Sequence, residues 1–289
     1  MKKIFLVGAL ATALQLKAQT DTQKVPVLIR CDDIGMSHSV NLAAEKIAMS
    51  GMPVSMSVMV PCSWFPEGAA MLKKYPNVSV GIHLTLNAEW KQYRWGQVAG
   101  AEAVPSLVDS LGYFFPSRAA LFANNPSLAD IEKELRAQIE KAIKAGLKID
   151  YLDYHMGAAM QTLETRMIVE KLATEFKLGI SRYFGETDVN GVYAAPVTSK
   201  KDTLLTRMKE LQPGAVRLLV FHVGENDAEL SAMEDLNPFG PKEMSRHRLA
   251  ERDALLSPEF AALLKDPKYR AVNYKMLVQE KGLASMRRP

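Results

Sequence analysis

Short apolar runs alternate with segments of helical period along almost the whole chain, and this alternation limits the fold more than any other feature. The first run is VPVLI (25–29), and the stretch SHSVNLAAEKIAMSG after it has the apolar spacing of a helix ending at Gly51. VSMSVMV, VSVGIH, KIDYLDYH, LGISRYF, AVRLLVFH and YRAVNY read as further strands, with helices near 65–75, 127–146, 162–177, 202–211 and 245–265. In SLADIEKELRAQIEKAIKAG, the most strongly amphipathic of these, Ser127 is the expected cap and Gly146 the stop. Runs that are apolar throughout suit strands covered on both faces, and strand–helix alternation implies parallel pairing. About seven strands in 289 residues predict an α/β chain folded as a single-domain, distorted (β/α) barrel, TIM-barrel-like in form. No GxGxxG or GxxxxGK[ST] follows the first strand, which argues against a nucleotide-binding sheet.

Residues 1–18, MKKIFLVGALATALQLKA, combine a basic start, an apolar stretch too short to cross a bilayer comfortably and a small-residue end. That is the layout of a cleaved signal peptide, so residues 19–289 are expected as one exported domain, periplasmic or extracellular, with no membrane span. Losing Lys2, Lys3 and Lys17 takes the formal charge from +4 to +1, which gives no reason to expect nucleic acid or acidic lipid as a partner. Cys31 and Cys62 are too few for a disulfide framework and read as buried free thiols, with a disulfide between them as the alternative if their strands are neighbours. Oligomeric state leaves no mark on the sequence.

Ionisable residues collect where the strands run out. RCDDIGMSH (30–38) closes the first strand with adjacent acids, Asp32 and Asp33, whose side chains are expected on opposite faces of a regular strand. The plain alternative is a polar turn in which Asp33 caps the helix beginning near Ser37 or Ser39. Three of the five histidines, His83, His155 and His222, also end predicted strands, which puts five ionisable groups at the carboxyl face of the barrel, where such folds do their chemistry. Two imidazoles and a carboxylate form a common catalytic metal set with an open position for water. His38 and His247 fall on predicted helices and read as structural. Two long connections interrupt the alternation. Residues 89–117 carry Trp90, Tyr93, Trp95 and Tyr113, which either stack on sugar rings or simply anchor the loop on the body of the domain, and residues 223–244 are rich in Gly, Asn and Pro.

Taken in order, CDDIG, VGIHLTL, VPSLVDSLGYFF, IDYLDYH, FHVG and RLAERDALLSPEF resemble the YdjC-type carbohydrate deacetylases over nearly the whole mature chain. The resemblance implies a distorted (β/α) barrel that removes acetyl groups from N-acetylated sugars such as chitooligosaccharides. It also implies one divalent metal ion, zinc or magnesium, held by Asp33, His83 and His155, with Asp32 as catalytic base. His222 is the candidate proton donor to the leaving nitrogen, and Arg248 and Trp95 are candidate substrate contacts, Arg248 alternatively orienting Asp32 or forming an ordinary i,i+3 surface pair with Glu251. Two positions depart from the family pattern: Gly157 stands where a second histidine is common, and His222-Val223-Gly224 replaces the usual HPG. Hydrolysis of another bond, a phosphoester or a peptide, and sugar binding without catalysis are the competing functions. No basic cluster for phosphate is evident, and all four central residues are present.

Overall fold

Parallel strands curl into a half-barrel in the computed structural model, which describes residues 24–289 apart from residue 239. Strands β1 (Val25–Ile34), β2 (Val54–Val58), β3 (Val78–Leu84) and β4 (Tyr151–Tyr154) come first in the chain, and β2 and β3 are buried at every residue. Helices α1 (His38–Met49) and α2 (Phe65–Leu72) connect the first three strands; α3 (Arg118–Ala123) and α4 (Leu128–Lys144) precede β4. The remaining order is α5 (Leu163–Phe176), β5 (Gly179–Ile180), β6 (Glu186–Asp188), α6 (Lys200–Glu210), β7 (Val216–Phe221), α7 (Ala228–Ser231), α8 (Met244–Leu255), α9 (Pro258–Lys265), β8 (Tyr269–Val272) and α10 (Tyr274–Lys281). Seven strands run β5-β4-β3-β2-β1-β7-β6 across the sheet. Val27 and Leu28 of β1 pair with both β7 and β8, so β8 lies on the β2 side of β1, alongside its first half. Among the described residues no helix is long and apolar enough to cross a membrane. The expected signal peptide, residues 1–18, lies outside the described residues.

Burial explains the elements. On α4 the buried residues Ile131, Glu134, Leu135, Gln138, Ile139 and Ala142 recur at helical spacing, and Gly146 takes φ +83 just past the end. Ser127 makes no side-chain cap; Asp130 ties the first turn to Ser106 instead, accepting from its amide at 3.1 Å and its hydroxyl at 2.7 Å. Ser37, not Asp33, caps α1 by accepting from the Val40 amide at 3.2 Å. The helical stretch expected over 245–265 is two helices, because Pro258 lacks an N–H and starts α9, with Ser257 as its cap. LGISRYF forms only the two-residue β5, and β6 and α10 are additions to the expected order. Cys31 and Cys62 are buried and unpaired, as expected.

Three features shape the mouth of the half-barrel. Gly81 on β3 lets the Tyr151 ring pack across it, since a Cβ there would stand 2.3 Å from the ring. The two long connections meet over the mouth, where Trp90 and Asp235 form an antiparallel bridge flanked by Lys91 N–H to Glu234 O and Leu236 N–H to Glu89 O, both 2.9 Å. Between β5 and β6 no strand pairing is formed among the described residues. There Arg182 spans the seam with two bonds to Asp188, at 2.8 and 2.9 Å.

Candidate metal centre

The end of β1 departs from regular strand geometry at the adjacent acids. Its register against β2 shifts between Cys31 and Ile34, and Asp33 adopts φ +68, a left-handed conformation uncommon outside glycine. Opposite faces were expected for Asp32 and Asp33. Instead the irregularity turns both into one cavity of about 360 Å³, which His83, His155, His222 and Arg248 also line.

Three atoms from three strand ends converge in that cavity. Asp33 Oδ1 stands 3.4 Å from His83 Nε2 and 3.5 Å from His155 Nδ1, and the two ring nitrogens are 3.2 Å apart. Asp33 Oδ1 is buried with no hydrogen-bond partner. Nitrogen and oxygen ligands at about 2.0–2.1 Å from a tetrahedral ion lie about 3.3–3.4 Å from one another, so the spacing and the unsatisfied oxygen both fit a bound divalent cation. Each histidine is held from behind by a carboxylate. His83 Nδ1 pairs with Asp153 Oδ1 at 2.8 Å, and His155 Nε2 with Glu89 Oε2 at 2.8 Å, which fixes the rings and leaves Nε2 of His83 and Nδ1 of His155 facing Asp33.

The charges follow from this packing. Burial pushes the Asp33 carboxyl up, but the Arg248 guanidinium and the facing His155 and His83 rings outweigh it and hold it well below the usual carboxylate range. Burial opposes protonation of His155, yet the charge and hydrogen bond of Glu89 and the facing Asp33 carboxylate raise it to about 9. His83 is also raised, against burial, by Asp153 and Asp32.

Asp32 belongs to a network that joins this site through Asp153, the partner of His83. Arg30 donates to both its oxygens at 2.7 Å, pairs with Asp153 Oδ2 at 2.9 Å and reaches Ser181 Oγ at 2.6 Å. Asp32, His83 and Asp153 also gather closely enough to suggest a cation site. Arg30 already occupies both carboxylates and His83 Nδ1 is bonded to Asp153, so these three form an ion-pair network rather than a second centre.

Arg248 is neither an orienter of Asp32 nor a surface residue. Buried on α8, it donates through Nη2 to Asp33 Oδ2 at 2.6 Å, leaving Nε and Nη1 without partners among the described residues. Glu251, one turn later, is likewise buried and points elsewhere, so the i,i+3 surface pair does not form. His222 lines the same cavity, just past β7, with Nδ1 unpartnered. Trp95 is not in the cavity wall: it is buried, donates to Asn87 O at 2.9 Å and packs against the His155 ring at 6.1 Å, whereas Trp90 does line the cavity. Gly157, at φ +74, borders the cavity, and a Cβ there would stand 3.1 Å from Arg118 Nη1. Val223 is fully buried in the core. His38 pairs with Glu67 at 2.8 Å outside the site, and His247 is not among the cavity residues.

Arg30, Glu89, Asp153 and Lys200 were missed in the sequence. A charged residue inside the apolar run VLIRC marks Arg30, and Asp153, two residues before His155, shares its strand face. Glu89 and Lys200 carry no local signal.

A family model described as YdjC-like protein matches residues 26–266. A carbohydrate deacetylase of Brevibacillus brevis is 33% identical over 156 residues, 53% of this chain and 58% of that protein. The chain therefore spans little more than half the length of that relative. A carbohydrate deacetylase of Thermoanaerobacter pseudethanolicus is 24% identical over 265 residues, covering 87% of this chain and 98% of the relative. A crystal structure from Enterococcus faecalis, described as a candidate cellobiose-phosphate cleavage protein, superposes with a TM-score of 0.71 at 20% identity, over 88% of this chain and 99% of that one. This likeness concerns the fold.

Proposed function

The chain belongs to the YdjC-like protein family, and from that premise we propose that it is a metal-dependent carbohydrate deacetylase hydrolysing acetyl groups from N-acetylated sugars or oligosaccharides. The observation that carries this reading is the buried, unpartnered Oδ1 of Asp33 facing His83 Nε2 and His155 Nδ1. Asp33, His83 and His155 hold one divalent ion, and two nitrogen donors at this spacing favour zinc over magnesium. When bound, such an ion supplies Lewis acidity and a nucleophilic water near neutral pH.

The protein's own residues supply the rest. Asp32 is the general base: Arg30 fixes its orientation while taking one acceptor site on each oxygen, which leaves a lone pair for a water proton. His222, with an unpartnered ring nitrogen beside the same cavity, delivers a proton to the departing sugar nitrogen. Arg248 offers Nε and Nη1 to oxygen atoms of the substrate, and Trp90 and Tyr193 give the sugar an aromatic wall. The leader-like residues 1–18 support action outside the cytoplasm.

The test is acetate release from a panel of N- and O-acetylated sugars, before and after chelation and with zinc or magnesium restored. Release from N-acetylated substrates that stops on chelation and returns with metal is expected. Firmly bound metal with no acetate from any sugar would move the activity to another bond.

A further inference from the structure

Lys200 is a fully buried lysine at the start of α6 that the chemistry above does not use. Its Nζ donates to the carbonyls of Val192 at 3.0 Å and Tyr193 at 2.8 Å and to Glu251 Oε1 at 2.8 Å, which uses all three ammonium hydrogens. The other oxygen of Glu251 accepts the backbone amide of His222 at 2.7 Å. A single ion pair thus joins the segment that carries Tyr193 to the first residue beyond β7. The Tyr193 and His222 rings meet edge to face, 5.2 Å between centroids, and both line the cavity. Helix α8 supplies Glu251 to this junction and, one turn earlier, Arg248 to Asp33.

Stability is a poor account of such a pair. Desolvating a lysine and a glutamate costs about as much as their attraction returns, and well-packed apolar residues often serve as well. What the pair adds is geometry, because three of its four hydrogen bonds end on backbone, at Val192, Tyr193 and His222, and the last two of these residues line the cavity. We infer that Lys200 and Glu251 are positioning residues that hold His222 and Tyr193 in the arrangement the reaction requires. The chemical consequence rests on the proposed deacetylase reading; the mechanical one does not.

Removing one partner alone leaves a buried unpaired charge and endangers folding, so the test uses two double variants. Lys200→Met/Glu251→Gln keeps a carbonyl acceptor for the His222 amide and frees the carbonyls of residues 192 and 193. Lys200→Met/Glu251→Leu frees both. Hydrogen–deuterium exchange of segments 189–196 and 216–224 is measured on each folded variant, together with acetate-release kinetics. With the glutamine variant, exchange is expected to rise in 189–196 while the His222 amide stays protected, and KM to rise more than kcat falls. With the leucine variant the His222 amide is expected to exchange about tenfold faster or more, and kcat to fall about 10- to 100-fold with little further change in KM. Unchanged exchange in both segments of folded variants overturns the inference, as does an unchanged kcat when the His222 amide has lost protection. If the unaltered protein releases no acetate, the deacetylase reading fails by that result, and the exchange data still decide whether the pair holds the wall.

Discussion

Asp33 is where the local conformation and the proposed chemistry meet. Its left-handed backbone and the β1 register shift aim one oxygen at two imidazoles, while Arg248 occupies the other. Asp33→Asn keeps the shape and removes the charge, so titration calorimetry should show metal affinity falling at least about 100-fold. Glu89→Gln leaves the first ligands in place but loosens His155, and a loss of about 10- to 100-fold in affinity is expected from such an outer partner. His155 gives the pH dependence. Burial works against its protonation, but Glu89 and Asp33 raise it from 6.5 to about 9. A raised histidine contributes stability that is complete below pH 6.5 and lost as pH rises through about 9, so the metal-free chain should lose thermal stability over that interval. Metal affinity should climb over the same interval, because the proton must leave the ligand nitrogen; calorimetry across pH 6–9.5 checks both trends. Asp32, Asp33, His83, His155 and His222 were legible because each interrupts or ends an apolar run. Glu89 was not, because it reaches His155 from an irregular connection whose path depends on contacts distant in sequence.

At the scale of elements, the site depends on how closely β1, β3 and β4 approach. His83 is in register with Asp153, which is why a strand neighbour can hold its ring. The same pair of strands is tightened by Gly81, where Tyr151 lies in the space a side chain would fill. Gly81→Ala should therefore cost about 1–3 kcal/mol in chemical denaturation and weaken metal binding as well, since it pushes β4 away from β3. The fully buried strands and the amphipathic α4 could be read from periodicity. Elements of two or three residues such as β5 and β6 carry too little pattern, and Ser127 stands at the N-cap of α4 as expected but makes no side-chain capping bond, the first turn being tied through Asp130 to Ser106 instead. The two-residue alternation that placed Asp32 and Asp33 on opposite faces failed at the one irregular point of β1.

Across the whole molecule, alternation of strand and helix foretold a parallel α/β barrel, but not where it stays open. Closure is decided by pairing between chain-distant edges, and β5 and β6 meet through the Arg182–Asp188 ion pair rather than a strand ladder. The open seam and the two connections crossing the mouth set the width of the cavity in which all the proposed catalytic groups stand. The central claim is that one metal ion, held by Asp33, His83 and His155, works with Asp32 to release acetate. The measurement that tests it most directly is a zinc titration of the metal-stripped protein, following acetate release from an N-acetylated oligosaccharide, with Asp32→Asn run in parallel. Activity should rise in proportion to added zinc and level off at one equivalent, while Asp32→Asn binds the same equivalent and releases almost no acetate. Acetate release that survives stripping, or that persists in Asp32→Asn, would contradict the account.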